Sequence, residues 1–122
     1  MRILYIEDER KVAETVSRGL RAERYAVDVA ENGATGWAMA HTYDYDLVIL
    51  DLGLPGMDGT ELLRRIRGRN ARIPILVLTA RDATSSKVEN IEAGADEVIF
   101  SFAFADSAGI AAVGDALGLG AS

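Results

Sequence analysis

Asp51 closes the run Leu47–Leu50, an unbroken apolar stretch that reads as a strand buried on both faces. A bare carboxylate is expensive to bury, so an aspartate in that position calls for a task. Two more acids, Glu7 and Asp8, stand at the end of the strand-like run "RILYIE" (2–7), and Thr79 ends "IPILVLT" (73–79). If these strands run parallel, their C-terminal ends gather on one rim and three carboxylates meet there. At an effective dielectric of about 20, two like charges about 4 Å apart repel by roughly 4 kcal/mol. Either some carboxylates take up protons or a cation sits among them. Carboxylates, a backbone carbonyl and waters make the oxygen set that Mg²⁺ favours. A cation at Glu7, Asp8 and Asp51 neutralises the acids and clamps an incoming phosphoryl group. Asp51, at the rim, can then act as a nucleophile and form an aspartyl phosphate.

The elements that must position these residues are legible as alternation. "RILYIE" (2–7), "YAVDVA" (25–30), "LVILD" (47–51), "IPILVLT" (73–79) and "EVIF" (97–100) read as strands. Between them Val12, Val16 and Leu20 recur four apart, the stripe of an amphipathic helix. Trp37 and Met39 fall on a second helical stretch, and Leu62, Leu63 and Ile66, then Val88 and Ile91, then Ile110, Val113 and Leu117 repeat the pattern. Asp58 with Glu61, and Ser86 with Glu89, have capping-box spacing. Gly33 and Gly94 stand where turns are needed, and Pro74 begins a strand, where its missing N–H does least harm. Five strands alternating with five helices predict an α/β, flavodoxin-like three-layer sandwich. Its five-stranded parallel sheet takes the order 2-1-3-4-5, with helices on both faces. Strands 1 and 3 are then neighbours at the switch point, where ligands bind outside the carboxyl ends.

Bulk properties narrow the class. A chain of 122 residues suffices for one domain and is too short for two. The N-terminus reads as no signal peptide, and no apolar run approaches the roughly 20 residues of a membrane span. With no cysteine there is neither a disulfide nor a thiolate metal site, and the cytoplasm is the expected compartment. A net charge of −6 argues against direct nucleic-acid binding by this chain. That charge is unevenly placed: all 13 basic residues lie at or before Lys87, so residues 1–87 are neutral and residues 88–122 hold the whole −6.

Plainer roles stand beside the chemical ones. Asp8 also suits a helix N-cap, Asp51 an Asx turn before "GLPGMDG", and Thr79 a β-branched strand end. Pro55 and Gly56 read as loop punctuation. His41, the only histidine, has no partner at metal spacing and reads as a surface or helix-end residue. The basic run "RRIRGR" (64–69) with Arg72 reads as a solvated helix end favoured by the helix dipole.

"YIEDE" (5–9), "VILDLGLPGMDG" (48–59) and "VLTARD" (77–82) resemble the three signature blocks of response-regulator receiver domains. The wording is closest to receivers that precede a winged-helix DNA-binding domain. The resemblance covers about residues 1–82, with "AGAD" (93–96) still fitting. It implies a phosphoacceptor in a two-component relay, not an enzyme, served by a sensor histidine kinase. Asp51 would take the phosphoryl group. Asp8 and Asp51 would ligate Mg²⁺, with Glu7 holding a metal-bound water and Gly53 giving its backbone carbonyl. Thr79 would be the switch hydroxyl and Ala80 its small neighbour.

Beyond that stretch the pattern fails. The family has a lysine followed by a proline after strand 5, and an aromatic switch residue three positions before the lysine. Here Ser101 stands where the lysine belongs and Val98 where the aromatic belongs, and the proline is missing. A serine offers a neutral hydroxyl in place of a charge-assisted contact worth about 1.5–3 kcal/mol, so switching should be impaired. This failure coincides with the charge break. Residues 83–122 are therefore expected to be naturally divergent, to result from a damaged reading frame, or to be a graft from another (β/α) protein. The last case would leave a chimeric scaffold with a metal pocket and no signalling output. The oligomeric state is open, because the basic residues usual on the last helix are absent. A flavodoxin is disfavoured, since "EDER" after strand 1 repels a phosphate, and a cobalamin module lacks its loop histidine.

Overall fold

The computed structural model describes residues 1–51, 59–70, 72–79, 94–95 and 97–100; for Thr79 and 97–100 the description is of the backbone. In chain order the elements are β1 (Arg2–Ile6), α1 (Arg10–Ala22), β2 (Ala26–Ala30), α2 (Gly33–Thr42), β3 (Leu47–Asp51), α3 (Gly59–Arg69), β4 (Ile75–Thr79) and β5 (Glu97–Phe100). They form one sheet in the order β2-β1-β3-β4-β5 with every pair parallel. The parallel flavodoxin-like arrangement expected from the alternation is thus present. The first four strands carry its described core, and β5 joins by backbone pairing of Leu76 with Glu97 through Thr79 with Phe100.

The strands form because their side chains are wanted on both faces. Ile3, Leu4, Tyr5 and Ile6 of β1 and Leu47 to Leu50 of β3 are fully buried. With a side-chain period of two, alternate residues feed two separate cores. On one face Ile3, Tyr5, Leu47, Ile49, Leu76 and Leu78 pack against Ala13, Val16 and Leu20 of α1. On the other, Leu4, Ile6, Val48, Leu50, Ile75 and Val77 pack against Leu62, Leu63 and Ile66 of α3, with Trp37, Met39 and Ala40 of α2 alongside. Each fully buried side chain of this kind contributes about 1.5–3 kcal/mol, which is what closes the sheet between its helices. Among the described residues no helix is long and apolar enough to cross a membrane.

Two readings of helix ends need correction. Asp8 does not cap α1: the cap position is Glu9, which makes no side-chain cap bond. Asn32 is the residue that caps, its Oδ1 accepting from the Thr35 N–H at 2.8 Å at the start of α2. The basic end of α3 is not simply solvated either. Arg67 is half-buried, and its guanidinium donates to the Ile73 carbonyl at 2.7 Å and to the Gly94 carbonyl at 2.7 and 3.0 Å. Gly94 has a φ of +120°, and a Cβ there would lie 2.8 Å from Arg67 Cγ, so the turn before β5 needs glycine twice over. The capping pairs Asp58–Glu61 and Ser86–Glu89 fall on residues outside the described ones, as do the helical stretches at 88–91 and 110–117; Glu61 itself pairs with Arg65 at 3.2 Å.

Arg67→Ala removes the donors that hold α3 to the chain on either side of β4. It should lower stability by about 2 kcal/mol in a urea melt, with Arg67→Lys recovering only part, because an ammonium cannot reproduce the planar fork. Glycines 36 and 68 should respond oppositely to alanine. A Cβ on Gly36 would lie 2.6 Å from Ile6 Cδ1 and 2.9 Å from its Cγ1, whereas one on Gly68 meets nothing within 4 Å. Overpacking outweighs helix propensity at Gly36, for a net loss of roughly 1–2 kcal/mol, and propensity acts alone at Gly68, for a gain of about 0.5–1 kcal/mol.

Candidate functional site

The register of the sheet sets the site. Ile6 of β1 lies opposite Leu50 of β3, so Glu7 and Asp51 leave the sheet side by side. The Glu7 N–H still pairs with the Ala30 carbonyl at 2.9 Å, carrying the ladder one residue past β1 and fixing where its side chain departs. Glu7, Asp8 and Asp51 are brought together as expected, one carboxylate oxygen of each lying within 4.8 Å of the others. Their surroundings differ: Glu7 is buried, Asp51 half-buried and Asp8 exposed. Asp51 pairs across the sheet with Leu78, which brings the backbone of Thr79 to the same rim. The Thr79 side chain, Gly53, Ala80, Pro55, Gly56 and Ser101 lie outside the described residues, and Val98 is seen as backbone opposite Val77.

Electrostatics at the rim are as crowded as the spacing implies. Burial, then a hydrogen bond and charge repulsion from Asp51, push the Glu7 carboxyl up to about 8. Two donors act in the opposite sense: the Tyr5 hydroxyl donates to Glu7 Oε1 at 3.2 Å, and the Glu9 N–H to Oε2 at 3.3 Å. Near neutrality the protonated form of Glu7 is therefore favoured, where a cation would otherwise balance the charge. The donor set is all oxygen and largely anionic, which fits a hard dication such as Mg²⁺ and not a soft metal. A surface cavity of about 440 Å³ between β2 and α1 is lined in part by Glu7, Asp8, Arg10 and Glu31, and Asp51 is not part of its lining.

Two members of this neighbourhood carry little signal in the sequence. Tyr5 reads as one more residue of an apolar strand, although strand periodicity places residues 5 and 7 on one face. Glu9 contributes through its backbone, for which no side-chain signal exists. His41 stands in the last turn of α2, exposed, its Nδ1 2.7 Å from the Trp37 carbonyl oxygen, and takes no part in the site.

The weakened acidity of Glu7 has a measurable sign. From the ordinary 4.5 up to about 8, the folded chain binds a proton that the unfolded chain has released. Stability is fully supported below that window and falls as pH rises through it, by at most about 1.4 kcal/mol per pH unit. Thermal melts in EDTA between pH 5 and 8.5 should show this slope for the wild type, and Glu7→Gln should flatten it. Added Mg²⁺ should restore stability most at the alkaline end, where the cation no longer competes with the proton.

The chain matches the model of the response regulator receiver domain over residues 3–101. It is 42% identical over 107 residues to the transcriptional regulatory protein CusR of Escherichia coli, an alignment covering 87% of this chain and 47% of that protein. The chain spans less than half the length of the curated relatives it matches. A putative response regulator from Chloroflexus aurantiacus superposes with a TM-score of 0.85 at 30% identity, covering 96% of this chain and 97% of its own. The response regulator TrrA of Thermotoga maritima, solved in complex with Mg²⁺ and BeF, gives 0.75 at 35% identity over 81% and 84% of the two chains. The family match continues through residue 101, so a graft beginning at residue 83 is not supported, and the failed lysine and aromatic positions lie within the matched stretch. The convergent acids, the parallel sheet and this match lead to one assignment: the chain belongs to the response regulator receiver domain family.

Proposed function

We propose that this chain is the phosphoacceptor of a two-component relay and takes a phosphoryl group on Asp51 in a Mg²⁺-dependent step. The observation that supports this best is the convergence of Glu7, Asp8 and Asp51 at the rim, with carboxylate oxygens within 4.8 Å of one another. In this reading Asp8 and Asp51 hold the cation directly, Glu7 holds it through water, and Gly53 adds its backbone carbonyl. The bound cation neutralises charge on the incoming phosphoryl oxygens. An Asp51 carboxylate oxygen attacks phosphorus while the bond to the donor breaks, and the bonding electron pair leaves with the donor, a phosphohistidine of a sensor kinase. Thr79 serves as the switch hydroxyl, and Ala80 leaves it room. The reading takes residues 1–122 as one cytoplasmic, five-stranded, three-layer domain with a divergent segment from residue 83. It has no turnover of its own as an enzyme, and its net charge of −6 speaks against direct contact with nucleic acid.

Two substitutions weaken the device without removing it. Serine at 101 replaces a charge-assisted contact with a neutral one, which corresponds to one to two powers of ten, on the order of 1.5–3 kcal/mol, in rate or equilibrium. Valine at 98 is too small to act as a second bistable element that swings when Thr79 turns. Phosphorylation should therefore occur slowly and spread little. Incubation with Mg²⁺ and acetyl phosphate should add one phosphoryl group by mass, and Asp51→Asn should abolish it. With Mg²⁺ and beryllofluoride, NMR shifts should be confined to residues near 7–8, 51–58 and 79–82. A chain that is not labelled under these conditions would sink the phosphoacceptor reading. Concerted shifts through 95–118 would instead show an intact relay and refute the impairment.

A further inference from the structure

Glu7 owes its posture to a residue that no part of the phosphoryl chemistry requires. Tyr5 is fully buried, its ring packed with Ile3, Ala13, Val16, Leu20 and Ile49 between the sheet and α1. A phenol in such a place is costly unless its hydroxyl finds a partner, and an apolar side chain would fill the same volume without that cost. The hydroxyl donates to Glu7 Oε1 at 3.2 Å, two residues along the same strand face. Glu7 Oε2 accepts from the Glu9 N–H at 3.3 Å, so both oxygens of a long, flexible side chain are engaged from the protein side. The ring cannot follow the carboxylate outward, because the core fixes it.

We propose that Tyr5 is a positioning residue for the cation site, orienting the Glu7 carboxylate toward Asp8 and Asp51 through its buried hydroxyl. This rests on the reading of those three acids as the Mg²⁺ site. Partners that orient a metal-facing group are worth about tenfold to a hundredfold in affinity. Removing the hydroxyl takes one donor away from the buried Glu7 carboxyl and lets its side chain choose among rotamers.

The test uses the whole chain with Mn²⁺ alone as probe, free ion being measured by EPR, and melting curves in EDTA recorded beside it. Tyr5→Phe should bind Mn²⁺ about tenfold more weakly than wild type. In a Glu7→Gln background the same substitution should change affinity less than twofold, because Tyr5 acts through Glu7; a general packing defect would cost the same in both backgrounds. Equal Mn²⁺ affinity in wild type and Tyr5→Phe overturns the proposal, and so does an undiminished loss in the Glu7→Gln background. A wild-type chain that binds no Mn²⁺ overturns the cation reading itself and this inference with it. Should Tyr5→Phe fail to fold, wild-type protein labelled with ¹³C at tyrosine Cζ decides the matter. Of its four tyrosines, Tyr5 should shift on Mg²⁺ addition while Tyr25, Tyr43 and Tyr45 do not. An unmoved Tyr5 signal overturns the proposal.

Discussion

Mutual repulsion among three carboxylates at the end of an open parallel sheet governs this molecule. Pairs of such charges repel by roughly 4 kcal/mol at 4 Å and an effective dielectric of 20, a sizeable share of the 5–15 kcal/mol that holds a domain together. The sheet beneath must therefore be rigid enough to keep Glu7 and Asp51 adjacent against that force. Fully buried runs in β1 and β3, paired Ile3 to Leu47 through Ile6 to Leu50, provide that rigidity. A proton on Glu7 relieves part of the repulsion, and a dication held by the three acids would relieve it in the same way. Under the proposed cation site, affinity for the ion would be stored in the fold as electrostatic strain, and neutralising any one acid would release part of it.

Much of this was legible because doubly buried strands announce themselves. Leu47–Leu50 and Ile75–Leu78 admit few interpretations, and the order of a parallel sheet then brings Glu7, Asp8 and Asp51 to one rim without any coordinate. What escaped notice has a common physical cause: it depends on groups that sequence patterns treat as generic. Tyr5 looks like another apolar strand residue until the burial of Glu7 gives its hydroxyl a partner. Arg67 looks like one more cation on a solvated helix end, because nothing in a sequence marks the carbonyls of Ile73 and Gly94 as needing donors. Asp8 has the right chemistry for a cap, yet the chain turns one residue later, at Glu9, and Asp8 stays with the acids. The charge break at Lys87 is plain in the sequence, but the family match runs past it to residue 101 and lends no support to a graft from residue 83.

The two ends of the sheet are built on opposite principles. At the end where the strands begin, charges are met by partners. The Arg2 guanidinium reaches Asp28 at 2.7 and 3.0 Å, its backbone N–H reaches Asp46 at 2.7 Å, and the Tyr45 hydroxyl donates to Asp28 at 2.8 Å. Arg67 adds its donors to the carbonyls of Ile73 and Gly94 at that same end. The exposed ion pair itself contributes little, about 0–1 kcal/mol, but the hydrogen-bonded set leaves that end with no unbalanced acid among these residues. At the opposite end like charges are crowded and one carboxyl is buried. Local rules are broken there and obeyed elsewhere, which is the pattern of a fold that spends stability on a site. It follows that substitutions at the two ends should separate cleanly: those at Arg2 or Arg67 alter the melting of the chain and leave cation affinity alone, because no element of the acidic cluster depends on them. Under the proposed cation site, changes among Tyr5, Glu7 and Asp51 alter both together, since the crowding that weakens the metal-free chain would also draw the cation in.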